Sequence, residues 1–272
     1  DWGGDVLLNG HYYSAKKAPW FYAPLWIGIT TPILFLVLFL TGIFESGKEL
    51  LKSSIFDIME NEKLLIKWAV IAFWLAPLVA VLVFGSTLYD GWRQLFFIYP
   101  PMAFLMVCGF RYLVEKTLEI SEYSIDTIRY GFLTIIFGPV LFLLIKFHPL
   151  QNVYFNSLAK KPWIDNYELD YWGQGYKYTM IQLIERYPDI EKFKVKGANY
   201  PCWENYRMLE EGVRKKFEYQ WGLEHTDFFI TNYRFREQLE KYRDRTFPLK
   251  NELLQVRIGD QPIYGVYDLR KK

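Results

Sequence analysis

Residues 68–89 read WAVIAFWLAPLVAVLVFGSTLY, 22 consecutive positions without a charged side chain. At 1.5 Å per residue a helix of this length reaches about 30 Å, the thickness of the hydrocarbon core of a bilayer. Working outward, three further charge-free runs occupy residues 18–44, 94–110 and 130–145. The last two are short for a crossing. Arg93, Arg111, Arg129 and Lys146 stand at their ends, however, where long cationic side chains reach the headgroups. The sequence therefore predicts an α-helical membrane part over residues 1–147, with transmembrane helices at about 21–44, 68–89, 94–112 and 129–147. Aromatic residues gather where a bilayer interface would lie, in Pro19-Trp20-Phe21-Tyr22 and at Trp92.

This reading explains a composition that is otherwise misleading. The 272 residues are 51% apolar, 19% aromatic and 23% charged, with a formal net charge of +2, an average that suits a soluble protein. The charges are unevenly placed: residues 1–147 hold 23 of them and residues 148–272 hold 39. A membrane part followed by a water-facing part fits that division. The aromatic and aliphatic content excludes disorder, and a net charge near zero without a basic stripe gives no basis for nucleic-acid binding. Cys108 lies in an apolar run and Cys202 in the polar half, so no disulfide framework or zinc spacing is present. His11, His148 and His225 belong to no metal-ligand pattern, and no metal is expected. The start, DWGGDVLLNGHYY, lacks the basic and apolar regions of a signal peptide and reads as the middle of a longer protein or a processed chain.

Orientation follows from the short loops. Lys48, Lys52, Lys63, Lys67, Arg111, Lys116 and Arg129 lie at one end of the expected helices, against Lys16, Lys17, Arg93 and Lys146 at the other. The positive-inside rule then puts both chain ends and the 86–94 loop outside the cytoplasm. Between the first two helices, Leu51, Ile55, Ile58 and Met59 recur at helical spacing among charged residues. This pattern predicts an amphipathic helix on the cytoplasmic surface; an interfacial connector is its plainer reading and lipid sensing the other.

Beyond Lys146 the pattern is that of a small α/β domain, residues 148–272. Tyr176, Met180, Leu183 and Ile184 have helical spacing, and Phe193 and Val195 alternate with lysines as in a strand. A second helix carries Met208, Leu209, Val213 and Phe217. A buried strand follows at 227–231, and 254–258 with 263–267 form a hairpin. The order α-β-α-β-β-β predicts a parallel pair joined by a crossover helix, with an antiparallel hairpin at one edge. Gly173-Gln174-Gly175 precedes a helix but lacks a third glycine and a ribose-binding acid, so a turn into the helix outweighs a nucleotide site.

Three constellations could carry chemistry. Tyr89, Asp90 and Arg93 lie at the boundary of the second and third membrane helices. An arginine fork there suits the phosphate of a lipid carrier, while Asp90 and Arg93, three apart, could instead pair and anchor a helix end. His148, Tyr154 and Asn156 belong to the segment that emerges from the fourth helix. Asp170 and Trp172 lie in Glu168-Leu169-Asp170-Tyr171-Trp172-Gly173, a composition common to sugar-binding surfaces and to well-packed domain entrances.

Five segments in this order, PWFYAPLWIGITTP (19–32), LYDGWRQLFFIYPP (88–101), HPLQNVYFN (148–156), ELDYWG (168–173) and VRIGDQPIYGVYDLRK (256–271), run over nearly the whole chain. Together they resemble the C-terminal half of bacterial family 39-like membrane glycosyltransferases. These belong to the GT-C class, related to protein O-mannosyltransferases and aminoarabinose transferases. The resemblance implies a bacterial inner-membrane protein with its C-terminal domain extracytoplasmic. It also implies transfer of a sugar from a polyprenyl-phosphate carrier to an extracytoplasmic acceptor by inverting displacement. No cofactor is expected besides that carrier-linked sugar. Tyr89, Asp90 and Arg93 are then possible carrier-binding residues. The chain departs from the family pattern at Gln94, where a histidine is usual, and at Leu150, where a tyrosine is frequent. The class's catalytic acids lie in an earlier loop with no counterpart in this chain, so no catalytic residue is assigned. Two functions follow: part of a lipid-linked-sugar transferase, or a non-catalytic subunit of a larger membrane complex derived from that fold. The partners expected are membrane lipids with a missing N-terminal half or other membrane subunits.

Overall fold

The computed structural model describes residues 4–234 and 252–270. The chain divides into two compact units, Asp1–Ile145 with Phe155–Ala159, and Lys146–Tyr154 with Lys160–Lys272.

The first unit opens with a hairpin, β1 (Asp5–Leu8) and β2 (His11–Ser14), antiparallel in register Asp5 to Ser14. Its two-residue turn, Asn9-Gly10, has φ of 52° and 83°, the left-handed pair that a tight hairpin of this twist requires. Six helices follow: α1 (Tyr22–Thr30), α2 (Ile33–Lys52), α3 (Ile55–Glu60), α4 (Glu62–Val83), α5 (Tyr99–Ile120) and α6 (Ile125–Lys146). Three are long and apolar enough to cross a membrane: α4, α5 with the 3₁₀ segment Arg93–Ile98 before it, and α6.

The first expected helix, about 21–44, is not one helix. Thr31 is extended at ψ 134° because the ring of Pro32 disfavours the helical region for the residue before it, and α2 restarts beyond the proline. Only 12 residues of α2, Ile33–Phe44, precede Glu45, Lys48, Glu49 and Lys52, so α2 falls outside the long apolar set. The expected amphipathic helix between the first two spans is resolved into the end of α2 and the short α3. Ser54 and Asp57 close a reciprocal capping box over α3, and Asn61 caps α4.

Contact between α2 and α5 is as close as two backbones allow. A Cβ on Gly42 would sit 1.7 Å from the Leu105 carbonyl oxygen, and one on Gly109 would sit 2.0 Å from that of Leu38. Glycine at both positions sets this crossing, in the manner of small-residue contacts between membrane helices.

In the second unit, two short helices, α7 (Trp163–Asn166) and α8 (Tyr176–Arg186), lead into the sheet. Next come β3 (Phe193–Gly197), α9 (Pro201–Arg207), α10 (Glu211–Arg214), β4 (Phe217–Tyr219), β5 (Phe228–Thr231), β6 (Glu252–Ile258) and β7 (Gln261–Asp268). The sheet order is β4-β3-β5-β7-β6, with β3 parallel to β4 and β5 and with β7 antiparallel to β5 and β6. An α/β architecture with a hairpin at one edge is thus present. The second expected helix is shorter, however, and the sheet has one more strand. Glu210 is extended at ψ 145°, which ends the helical run, and Phe217-Glu218-Tyr219 alternates as β4. Phe193, Val195, Phe228, Ile230, Ile263 and Val266 are fully buried and form the centre of the sheet's core.

Candidate functional site

The segment between α4 and α5 is held from within its own unit. Leu88 N donates to Ala15 O at 3.3 Å, Gly91 N to the Tyr22 hydroxyl at 3.2 Å, and Trp92 Nε1 to Thr30 Oγ1 at 3.0 Å. At its centre Asp90 and Gly91 both take positive φ, 56° and 73°, a sharp bend that aspartate tolerates better than most side chains. The bend turns the Asp90 carboxylate inward, where it is 5% exposed, and carries Arg93 back over the same loop. Arg93 Nη2 lies 3.3 Å from Asp90 Oδ2, and its guanidinium carbon stands 4.5 Å from the centre of the Tyr89 ring. Gln94 Nε2 donates to the Tyr89 carbonyl at 3.0 Å. The three residues singled out from sequence therefore meet: a carboxylate and a ring fix a guanidinium that is 23% exposed. Both sequence readings of this trio, helix-end anchor and anion receptor, use that ion pair.

Asn156 belongs to the same unit but has a different task. Its Nδ2 donates to Gly28 O at 2.6 Å and Thr31 O at 2.7 Å, and its backbone N–H donates to Ile29 O at 2.8 Å. These are the carbonyls that α1 leaves without helical partners when it stops before Pro32. Asn156 is buried and serves as the clamp for that break.

In the second unit Asp170, 1% exposed, is the hub of a polar network. Its Oδ1 accepts from Asn152 Nδ2 at 2.7 Å, and its Oδ2 accepts from Gly175 N at 2.8 Å and the Tyr264 hydroxyl at 2.6 Å. Its carbonyl accepts from Asn232 Nδ2 at 2.7 Å, and Asn232 Oδ1 in turn takes Asn199 Nδ2 at 2.9 Å. Burial pushes the Tyr264 and Tyr176 hydroxyls well above the ordinary tyrosine range, with the Asp170 charge adding to the effect at both. Gly175 permits this closeness: a Cβ there would meet the Tyr264 ring at 2.5 Å and Leu150 at 2.6 Å. Gly173-Gln174-Gly175 is thus a turn into α8 wrapped on the Asp170 side chain.

The other sequence candidates are not gathered around Asp170. Trp172 is half exposed and tilts on Tyr171 at 5.6 Å. His148 is exposed, with Nδ1 3.1 Å from Gln151 Nε2. Tyr154 packs edge-on against Phe147 at 5.3 Å, and burial raises its hydroxyl pKa.

The structure also joins residues that the sequence reading left apart. Trp203, Tyr206, Tyr219 and Trp221 form a cluster with ring centres 5.0–5.7 Å apart, and Trp221 remains 61% exposed. The signal was present as an i, i+3 aromatic pair on α9 and an alternating pair at 219 and 221. Among the described residues no group of three or more His, Cys, Asp or Glu could hold a metal ion. Compared with protein-family models, curated proteins and solved structures, the chain has no match in any of the three.

Proposed function

We propose that this chain is part of a membrane glycosyltransferase that takes a sugar from a polyprenyl-phosphate carrier, and that Tyr89, Asp90 and Arg93 receive the carrier's phosphate. The observation that carries this reading is the arrested guanidinium of Arg93, part exposed beside a buried carboxylate and an aromatic face. A guanidinium already fixed in place loses little side-chain entropy when its fork meets a phosphate. The Tyr89 ring supplies an apolar surface alongside, suited to a prenyl or sugar face.

In this proposal the chain crosses a bacterial inner membrane four times. α4, α5 and α6 make three crossings, and the fourth is discontinuous, made of α1 and α2 with the Asn156 clamp at the break. Interrupted spans of this kind need their freed carbonyls bonded within the protein, as Gly28, Ile29 and Thr31 are. The lysine-rich ends face the cytoplasm, and the 88–94 loop and the α/β unit face the opposite compartment.

The test is binding of a polyprenyl-phosphate sugar by the purified full chain. Arg93→Ala is expected to weaken binding by about 30-fold or more, the range for removing one partner of a desolvated charge pair. Arg93→Lys is expected to recover part of it, since the charge returns without the fork. Unchanged affinity in Arg93→Ala removes Arg93 from the site. Carrier binding without sugar transfer in membranes favours the non-catalytic subunit. For the topology, single cysteines at Ser53 and Ser157, in a background lacking Cys108 and Cys202, are expected to label from opposite sides.

A further inference from the structure

At the lysine-rich end of the first unit, α2, α4 and α5 surround a cavity of about 720 Å³. Lys48, Lys52, Lys63, Lys67 and Arg111 line it, against the carboxylates Glu45, Glu49 and Glu115. Each carboxylate already has a cation: Lys67 bonds to Glu49, Lys48 lies 3.9 Å from Glu45, and Arg111 lies 3.8 Å from Glu115. Among the described residues the ion pairs leave Lys52 and Lys63 over, so the lining itself holds five cations against three carboxylates. Lys63 also borders an open depression with Asp57, Glu60 and Glu62, of which Asp57 is engaged in capping Ser54 N at 2.8 Å.

A surplus of cations in a concave site selects an anion, and the surroundings say which. Leu51, in the last turn of α2, is 91% exposed, and Ile55, Phe56 and Met59 of α3 are each 69–73% exposed. Such an apolar edge beside a cationic cavity matches a molecule with an acyl chain and a phosphate head, not a soluble phosphate. We propose that this cavity holds the phosphate headgroup of an anionic membrane lipid, with Lys52 and Lys63 as its principal contacts. The site lies at the opposite end of the helices from Arg93, and it rests on the membrane-spanning part of the function proposed above.

The experiment uses the full chain in detergent micelles, with phosphatidylglycerol, phosphatidylcholine or glycerol phosphate added separately and bound molecules counted by native mass spectrometry. Wild type is expected to retain phosphatidylglycerol in preference to phosphatidylcholine and to ignore glycerol phosphate at the same concentration. Lys52→Gln/Lys63→Gln is expected to weaken the retention by about 25-fold, two charges each worth about fivefold at an anionic surface. Lys16→Gln/Lys17→Gln removes the same charge at the other end of the helices and is expected to change nothing. Equal retention of the two lipids by wild type overturns the proposal, whatever the variants do. So does binding of glycerol phosphate as tight as that of the lipid, or an equal loss in the control variant. A chain that stays monodisperse after the detergent is removed refutes the spanning reading as well, whereas one that requires detergent but shows no lipid preference refutes only the headgroup site.

Discussion

Replacing Asp170 by asparagine tests whether the acidic-aromatic segment 168–173 builds the α/β unit or serves a ligand. The two side chains have the same size, so the change isolates charge and acceptor count. Asparagine keeps one oxygen for Asn152 Nδ2, which lies 2.7 Å from Oδ1. Its amide nitrogen then stands where Oδ2 accepts from Gly175 N at 2.8 Å and from Tyr264 at 2.6 Å. The tyrosine hydroxyl can rotate and accept instead, at a loss of about 1 kcal/mol for the change from a charged to a neutral acceptor. The backbone N–H of Gly175 cannot turn, and a buried donor left without an acceptor costs about 2 kcal/mol. The sum is about 3 kcal/mol. A unit of about 120 residues unfolds with an entropy near 0.25 kcal/mol/K, so its melting transition is expected to fall by about 12 °C. Scanning calorimetry of the full chain in detergent would show it as a shift of one transition. Asp170→Ala is expected to shift it further, since Asn152 then loses its acceptor too. A shift below about 3 °C in Asp170→Asn would refute the reasoning. It would mean that water or an incoming group already satisfies these donors, and Asp170 would return to the list of ligand-binding candidates.

Two other predictions concern packing and pH. Gly42→Ala is expected to destabilise the helical unit by about 3 kcal/mol, because the clash is with a carbonyl oxygen and no rotamer relieves it. Gly28→Ala, in α1 with open space around the new methyl, is expected to stabilise by about 0.5–1 kcal/mol; thermal unfolding of both variants gives the opposite signs or refutes the crossing. Burial raises the folded-state pKa of Tyr176, Tyr219, Tyr233, Tyr264 and Cys202 above their ordinary values of 10.0 and 9.0. The stability held by their neutral forms is therefore complete below about pH 9 and is lost as the pH rises above it. Melting of the α/β unit is expected to fall steeply from pH 9 to 11, and less steeply in Tyr176→Phe. A flat profile would show these hydroxyls to be solvated.

Much of this architecture was legible because hydrophobicity acts locally. Charge-free length marks the candidate spans, and period-2 and period-3.6 patterns mark most of the α/β unit. Apart from the local breaks at Thr31 and Glu210, the failures turn on residues whose partners are distant in sequence. Pro32 signals a break, but a break in an apolar run becomes tolerable only through Asn156, more than 120 residues later, and nothing local announces that pairing. Asp170 suits a sugar-binding surface and a packed domain entrance equally until Tyr264 is seen to reach it across the fold. The same holds for Trp203 on α9 and Tyr219 in β4, a strand absent from the sequence reading, whose rings meet at 5.0 Å.

Tyr89, Asp90 and Arg93 are a mixed case: the spacing of three that pairs Asp90 with Arg93 is local, while bonds to Ala15, Tyr22 and Thr30 hold the loop that carries them. Locality of this kind bears on function. A receptor for a charged group must be arranged before the ligand arrives, and here an ion pair built within five residues is braced on α1 through Tyr22 and Thr30. Loosening the loop would therefore act on affinity through Arg93 orientation and not through charge. Gly91 holds a φ of 73°, which a side chain rarely adopts, so Gly91→Val strains the bend without removing any ionisable group. If Arg93 binds a phosphate through its fixed position, that substitution should lower carrier affinity nearly as much as Arg93→Ala does. If Arg93 is only a diffuse positive charge at the membrane boundary, affinity should survive it.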